Sequence, residues 1–493
     1  ACASSLYALR LAACALAEGR ADVMLAGAVN RADRLFLHVG FSALHALSPT
    51  GQSRPFDRRA DGLVPAEGCA LVALMRLDDA VAQGKTIHGV IRGIGISNDG
   101  RGRNLLAPST EGQARALRAA WSAAQLAPTD VDFLECHATG TPTGDRTELV
   151  SVAEVFTREA DDARGPVPLG SLKGNLGHLI TAAGGAGLLK LLEAMRRGEL
   201  PPNPGTIEAL DLLERGSPDG PLPFVVQRER APWHRGRHPR RAGLSAFGFG
   251  GNNAHLVLEQ YESARERQGS LTSVAIELSS PSTREPLAVV ALATEAARGD
   301  EPISVALDGL RFPPNDLAES IAQQLLVFEA GRRAAASLGE RVGQALPRER
   351  TGVFVGMGTD VSVTTPGVRW RARKVAGRLA HGRDDGALAA ALRDAAMPPM
   401  PAQGVLGCMP NIPANRLNVQ LDLRAAGFTV SAEERSGLVA LEVARSLIRA
   451  GEIDAALVGA VDACRDSRHS RALAALRPST APPGDAAAVL IVM

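Results

Sequence analysis

The residues of this sequence that could do chemistry stand at the edges of apolar segments. Lys173 and His178 lie in Leu172-Lys173-Gly174-Asn175-Leu176-Gly177-His178, which runs on into Leu179-Ile180-Thr181-Ala182-Ala183-Gly184-Gly185-Ala186-Gly187. His137 lies in Glu135-Cys136-His137-Ala138-Thr139-Gly140-Thr141-Pro142-Thr143-Gly144-Asp145, and Cys2 lies in Ala1-Cys2-Ala3-Ser4-Ser5. A thiol with two imidazoles suits acyl transfer through a thioester. The thiolate is the nucleophile, and imidazoles hydrogen-bond to oxygen without forming a second adduct. Each residue also has a structural reading: a histidine among Gly and Ala usually serves the core, and cysteine packs as a small hydrophobe. The three segments taken together tip the balance toward chemistry.

These side chains need elements to hold them. Ala3 to Glu18 is Ala/Leu-rich and reads as a buried helix, with Cys2 at its first turn, where free amides favour a thiolate. Ala21 to Val29 reads as a central strand, Phe36 to Leu47 as a helix or connection, and Ser48 to Gly68, rich in Pro and Gly, as a long surface loop. Cys69 to Leu77 and Thr86 to Asn98 follow as strands, and Glu111 to Ala124 as an amphipathic helix. Val131 to Cys136 is a short strand, so His137 falls at its end, where open α/β sheets place ligand groups. Asp145 reads as the cap of a helix from Arg146 to Phe156. Val167 to Ser171 leads to Lys173 and His178, and Thr181 to Arg197 is the next helix. The chain then reads as irregular to about Trp233, and His255 to Glu259 as a closing strand.

The 493 residues allow two or three domains, and 45% hydrophobic with 22% charged residues describes a globular chain. A net charge of +1 gives no argument for nucleic acid or an anionic membrane, and the basic stretch Arg228 to Arg241 reads as a solvated loop. The six cysteines form no CxxC pair, so a reduced, cytoplasmic setting is expected. No signal peptide or apolar span of membrane length is evident. The chain opens within a helix pattern without an initiator Met and closes on the apolar run Ala486 to Met493, so it reads as a piece of a longer polypeptide.

Tyr261 to Glu285 is polar and reads as a linker, after which a second compact pattern begins at Pro286. That pattern predicts strands at Leu287 to Thr294, Thr351 to Gly356 and Ala455 to Val461, and helices at Asp316 to Glu329, Ala387 to Ala396 and Ser436 to Arg449. The two parts repeat. Ser4 to Ala12 aligns with Ser436 to Ala444, Gly19 with Gly451, Asp22 with Asp454, and Gly27-Ala28-Val29 with Gly459-Ala460-Val461, at a constant offset of 432 residues. In that register Cys2 falls on Glu434, and a carboxylate cannot carry a stable thioester. The expected organisation is therefore a catalytic unit over 1–260, a linker over 261–285 and a second, non-catalytic unit over 286–493.

The segments around Cys2, His137 and Lys173–His178, with Gly248-Phe249-Gly250-Gly251-Asn252-Asn253-Ala254-His255, resemble the signature regions of β-ketoacyl-acyl carrier protein synthases. The Glu135–Thr141, Ser97–Gly100 and Pro55–Gly68 segments look most like type I multienzymes that make polyunsaturated or specialised lipids, and residues 286–493 resemble the front of a chain-length factor. Familiar chain-length factors often carry glutamine where this chain has Glu434.

The resemblance implies a thiolase-like α/β fold in α-β-α-β-α layers, one partial ketosynthase unit followed by a second, and a homodimer. It implies Cys2 as nucleophile, His137 and His178 as active-site histidines, Lys173 as their basic neighbour and Phe249 as a gating aromatic. It also places Thr139, Thr141 and Asn175 with Phe249 in substrate binding. The implied reaction is decarboxylative condensation of a malonyl thioester with an acyl group on Cys2. Oxyanion stabilisation would come from the Cys2 and Phe249 amides, and no metal or redox cofactor is required. Substrates would arrive on phosphopantetheine arms of acyl carrier domains, beside acyltransferase and reductive domains of the same multienzyme. The rivals are a thiolase and a non-catalytic carrier-binding scaffold.

Overall fold

The computed structural model describes residues 1–32, 37–102, 104–156, 164–216, 222–236, 238–263, 286–297, 301–339, 346–365, 367–381, 386–464, 466–476 and 484–493. Residues 264–285 of the expected linker lie outside them. The chain forms two compact units. One comprises Ala1–Arg31, Leu47–Glu285 and Arg424–Ala426; the other comprises Ala32–Ala46, Pro286–Leu423 and Gly427–Met493. The segment Ala32–Ala46 therefore belongs with the second unit. Its helix Leu37–Ala43 carries Gly40, where a Cβ would lie 3.2 Å from Val405 Cγ1.

The first unit is built on a six-stranded mixed sheet in the order Val90–Asn98, Asn252–Glu259, Arg241–Gly248, Phe133–Glu135, Val167–Gly170, Phe224–Val226. The first three strands pair antiparallel and the rest parallel. The parallel strands end at the loops that carry His137 and Lys173. Phe224–Val226 lies in the stretch expected to be irregular. Three residues give too short a run for period-2 alternation, yet pairing with Val167–Leu169 makes them a strand.

The Ser4–Ala17 helix buries Leu6, Leu9, Ala12 and Leu16 and stops at Gly19, whose φ of +67° a residue with a side chain adopts only under strain. Helix Ala183–Arg197 packs on it through small residues. A Cβ on Gly184 would lie 2.8 Å from Leu6 Cγ, one on Gly185 2.9 Å from Ala70 Cβ, and one on Gly187 2.8 Å from Leu244 Cδ1. One glycine face thus draws together the Cys2 helix, the Gly68–Leu74 strand and the main sheet. The Ser5 hydroxyl accepts from the Gly185 amide at 2.9 Å and fixes the register. Gly184→Val is expected to destabilise this unit by about 1–3 kcal/mol through overpacking against Leu6, read as a lower urea midpoint with an unchanged m-value.

Three local readings are corrected. Ala21 to Val29, expected as a central strand, is Met24–Asn30, paired antiparallel with Gly68–Leu74 in a two-stranded sheet. Its Leu25 and Val29 are 77% and 72% exposed, since apolar residues on both faces signal a buried strand without specifying what covers it. The 48–68 loop is not merely a surface excursion: Phe56 and Asp57 are fully buried. Asp57 accepts backbone N–H groups of Arg59, Ile207 and Glu208. Asp145 is not a helix cap. The helix is Pro142–Val155, with proline in its first turn, and Asp145 lies inside that turn.

The second unit has a five-stranded sheet in the order Val289–Ala297, Asp485–Val492, Ala455–Asp462, Thr351–Met357, Gly427–Val430. Its pairings are antiparallel for the first three strands and parallel thereafter, the pattern of the first unit. Helix Ala322–Ala336 covers one face, with Val327 Cγ2 2.9 Å from where a Gly459 Cβ would stand. Helix Ser436–Arg449 packs on Gly356, where a Cβ would lie 2.3 Å from the Ser436 carbonyl carbon. The helix expected over Asp316 to Glu329 is divided into Asn315–Ala318 and Ala322–Ala336, because the Ile321 amide turns away to the Gly407 carbonyl. The offset of 432 residues is visible in three dimensions. Ser4–Ala17 and Ser436–Arg449 are both 14-residue helices, and Gly19 and Gly451 have φ of +67° and +68°.

Candidate active site

Cys2 precedes the Ser4–Ala17 helix and is 4% exposed. Its sulfur lies 3.2 Å from His178 Nε2. The His137 ring meets the His178 ring edge to face, centroids 5.3 Å apart. The sulfur and one ring nitrogen of each histidine all lie within 4.8 Å of one another. The backbone N–H groups of Cys2 and Phe249 hydrogen-bond to the thiol. The Phe249 backbone follows strand Arg241–Gly248, where Gly248 allows the approach: a Cβ there would lie 3.0 Å from the Cys2 nitrogen. The ring on His137 is that of Phe247, at 5.9 Å.

Each histidine is fixed through its backbone. The His137 and Ala138 amides donate to the two carboxylate oxygens of Glu148, both at 2.7 Å. Asp145 accepts from the Thr139, Gly140 and Phe56 amides, holding the 56 loop to the His137 loop. Gly177, with φ +77°, turns the chain so that the His178 amide donates to the Val64 carbonyl at 2.7 Å, while Ala66 N–H donates back to the His178 carbonyl at 2.9 Å. Below them, Glu135 accepts from the Leu172 amide and pairs with Lys190 at 2.6 Å.

Electrostatics follow from burial. Burial, then the Lys173 charge, holds both imidazoles well below the ordinary histidine range, with His178 also opposing protonation of His137. They are neutral at pH 7. Burial pushes the Cys2 thiol up, and the Ala1 ammonium, then Lys173 and the two amides, pull it back. Lys173 is 5% exposed; burial lowers its pKa, and Glu135 and Glu148 oppose that. Burial raises Glu148 to about 7 and Asp145 to about 6 despite the amides they accept. Lys173→Met is expected to raise the Cys2 thiol pKa further and slow its iodoacetamide alkylation at pH 8 about tenfold, measured by peptide mass spectrometry.

The structure brings Cys2, His137, His178, Lys173 and the Phe249 backbone together. Thr139 and Thr141 share a hydroxyl contact at 3.1 Å on the His137 loop. Asn175 is exposed on the short helix Lys173–Leu176. Glu434 is exposed at the head of helix Ser436–Arg449. Sequence reasoning missed Glu148 and Glu135, and took Asp145 for a cap. The available signal was a pair of acids three apart, on the helix face that carries Leu149 and Val152.

Residues 1–80 and 309–489 match the β-ketoacyl synthase N-terminal domain, 88–206 match its C-terminal domain and 220–307 a ketoacyl-synthetase C-terminal extension. The chain belongs to the β-ketoacyl synthase family. It is similar to one of the subunits of the polyunsaturated fatty acid synthase of Thraustochytrium sp., 31% identical over 94% of this chain and 24% of that protein. It is also similar to the PKS-NRPS hybrid synthetase ATPKS of Aspergillus niger, 41% identical over 52% of this chain and 14% of that one. The solved structure of the PfaC keto synthase–chain length factor superposes with a TM-score of 0.84 at 28% identity, covering 100% of this chain and 57% of its own. This ketosynthase chain thus spans a minor part of the curated relatives, and its fold of mixed α/β sheets flanked by helices is thiolase-like. Among the described residues no helix is long and apolar enough to cross a membrane.

Proposed function

We propose that the first unit carries the condensing centre of a β-ketoacyl synthase and that Cys2 holds the growing acyl chain. The observation that carries this reading is the meeting of one thiol and two neutral imidazoles within 4.8 Å, with two amides on the sulfur. Cys2 sulfur attacks the carbonyl of an acyl-carrier thioester. The C–S bond to the carrier breaks, and the thiol proton leaves with the carrier thiolate. The Cys2 and Phe249 amides stabilise the oxyanion between these events. A malonyl thioester then loses its carboxylate as carbon dioxide. In their Nε2–H tautomers His137 and His178 donate to the thioester oxygen, where enolate charge develops. The carbanion attacks the acyl carbonyl, and Cys2 leaves as thiolate. Lys173 adds positive potential and holds the His178 loop.

The substrates would be carried on phosphopantetheine arms of acyl carrier domains, beside acyltransferase and reductive domains of one cytoplasmic multienzyme, with the synthase as a homodimer. The chemistry uses neither a metal nor a redox cofactor. The second unit is read as a chain-length-factor-like partner, because an exposed Glu434 stands where the first unit has a buried cysteine. The test is intact mass of the protein with acyl-loaded carrier domain, followed by peptide mapping. One acyl adduct on the Cys2 peptide and none near Glu434 is expected, with Glu434→Gln loading to the same extent. No adduct on folded protein leaves a carrier-binding scaffold.

A further inference from the structure

The Cys2, His137 and His178 side chains offer one sulfur and two nitrogens, all within 4.8 Å of one another, with Cys2 and His178 buried and His137 half-buried. A tetrahedral zinc site has metal–sulfur distances of about 2.3 Å and metal–nitrogen distances of about 2.0–2.1 Å, which sets its ligand atoms roughly 3.3–3.8 Å apart. The Cys2–His178 pair, at 3.2 Å, is within a few tenths of an ångström of that spacing, and the two sides to His137, each within 4.8 Å, close with a rotamer adjustment. We propose that this trio is a reversible inhibitory site for a thiophilic divalent ion such as Zn²⁺, with the fourth position left to a water or another exogenous ligand. The inference rests on Cys2 being the reactive thiol of the proposed condensing centre. On binding, the thiol proton goes to solvent and a metal–sulfur bond forms, so the nucleophile is withdrawn without oxidation.

Two features set the ion class and the strength. Lys173 stands close enough to pull down the pKa of both imidazoles, and it repels any cation. Hard ions such as Mg²⁺ gain nothing from sulfur to offset that repulsion, whereas soft ions do. Resident metal-binding histidines donate their second N–H to a carboxylate or carbonyl, worth about 10–100-fold in affinity. The Nδ1 atoms of His137 and His178 are buried without a hydrogen-bond partner among the described residues. The missing support makes the ion an inhibitor that comes and goes rather than a structural resident.

The experiment titrates metal-free full chain carrying Cys69→Ser, which removes the exposed thiol, with Cd²⁺, following the thiolate-to-cadmium ultraviolet band. A band saturating at one ion per chain is expected, lost in Cys2→Ala, at least tenfold weaker in His137→Ala and in His178→Ala, and displaced by Zn²⁺ but not Mg²⁺. A band that survives Cys2→Ala, or is unchanged in both histidine variants, overturns the site. In the same Cys69→Ser chain, with no active-site change, Zn²⁺ should slow iodoacetamide alkylation of Cys2 at least tenfold; an unchanged rate also overturns it. Acyl loading measured in chelator separates the two readings. Loading without Zn²⁺ protection removes only the metal site, and metal binding without loading removes only the condensing role.

Discussion

Cys2→Ala is expected to abolish acyl loading of the protein, while His137→Ala loads Cys2 within about threefold of wild type and loses condensation by roughly 10²–10⁴-fold. The division follows from distance. The groups on the Cys2 sulfur are His178 Nε2 and the amides of Cys2 and Phe249, and these are what acyl transfer to sulfur uses. His137 instead stands across from His178 and completes a two-donor cradle for an enolate oxygen. Its backbone is held by Glu148 through amides, so truncating the ring leaves the loop in place. Intact mass of the acyl-enzyme reports the first half-reaction and release of labelled carbon dioxide the second. Equal loss of both in His137→Ala would assign His137 to loading instead.

Neutral imidazoles also fix the pH behaviour of that centre. Both histidines are held far below 6.5, so neither imidazole should give the decarboxylation rate an inflection near that value, and one seen there would belong to Glu148 or Asp145. The acid form of Cys2 is favoured by burial, so loading should keep rising above pH 8.

Much of this arrangement was legible in the sequence, and the limits have physical causes. Cys2, His137 and His178 stand out because reactive side chains are rare in Gly/Ala/Leu surroundings, and the repeat register is visible because Ser4–Ala17 and Ser436–Arg449 preserve helix length and the closing left-handed glycine. What was not legible is the framework of buried acids. Asp145, Glu148 and Glu135 serve backbone amides of other segments: Phe56 with Thr139 and Gly140, His137 with Ala138, and Leu172. A backbone amide has no identity in a sequence, so an acid placed to accept one looks like a helix cap or a solvated charge. Asn175 is legible only by its motif position, and the structure shows it exposed on the short helix that Lys173 opens. Strand coverage is the third limit, since Leu25 lies in a run that reads as a central strand but is 77% exposed.

A second large effect is expected far from the thiol. His255, fully buried in strand Asn252–Glu259, accepts from Trp121 Nε1 at 3.2 Å and has Ser245 Oγ 3.0 Å from its Nδ1. The indole N–H donates only, so Nε2 holds the lone pair and the ring is neutral with its proton on Nδ1. Burial pushes its pKa down to about 3. In the unfolded chain the ring titrates near 6.5. Below that value the unfolded state binds a proton that the folded state refuses, so stability present above pH 6.5 is lost as pH falls, at about 1.4 kcal/mol per unit and by roughly 5 kcal/mol at pH 3. His255→Gln carries no such proton. Whatever the substitution costs at pH 8, its deficit relative to wild type should shrink at that slope below pH 6.5, measured from urea midpoints in parallel. A constant deficit across this range would mean that His255 is protonated in the folded state. The Trp121–His255–Ser245 chain ties strand Arg241–Gly248, which leads into the Phe249 amide, to helix Thr110–Ala124. Protonation of His255 in strong acid should therefore loosen the backbone behind the oxyanion donors.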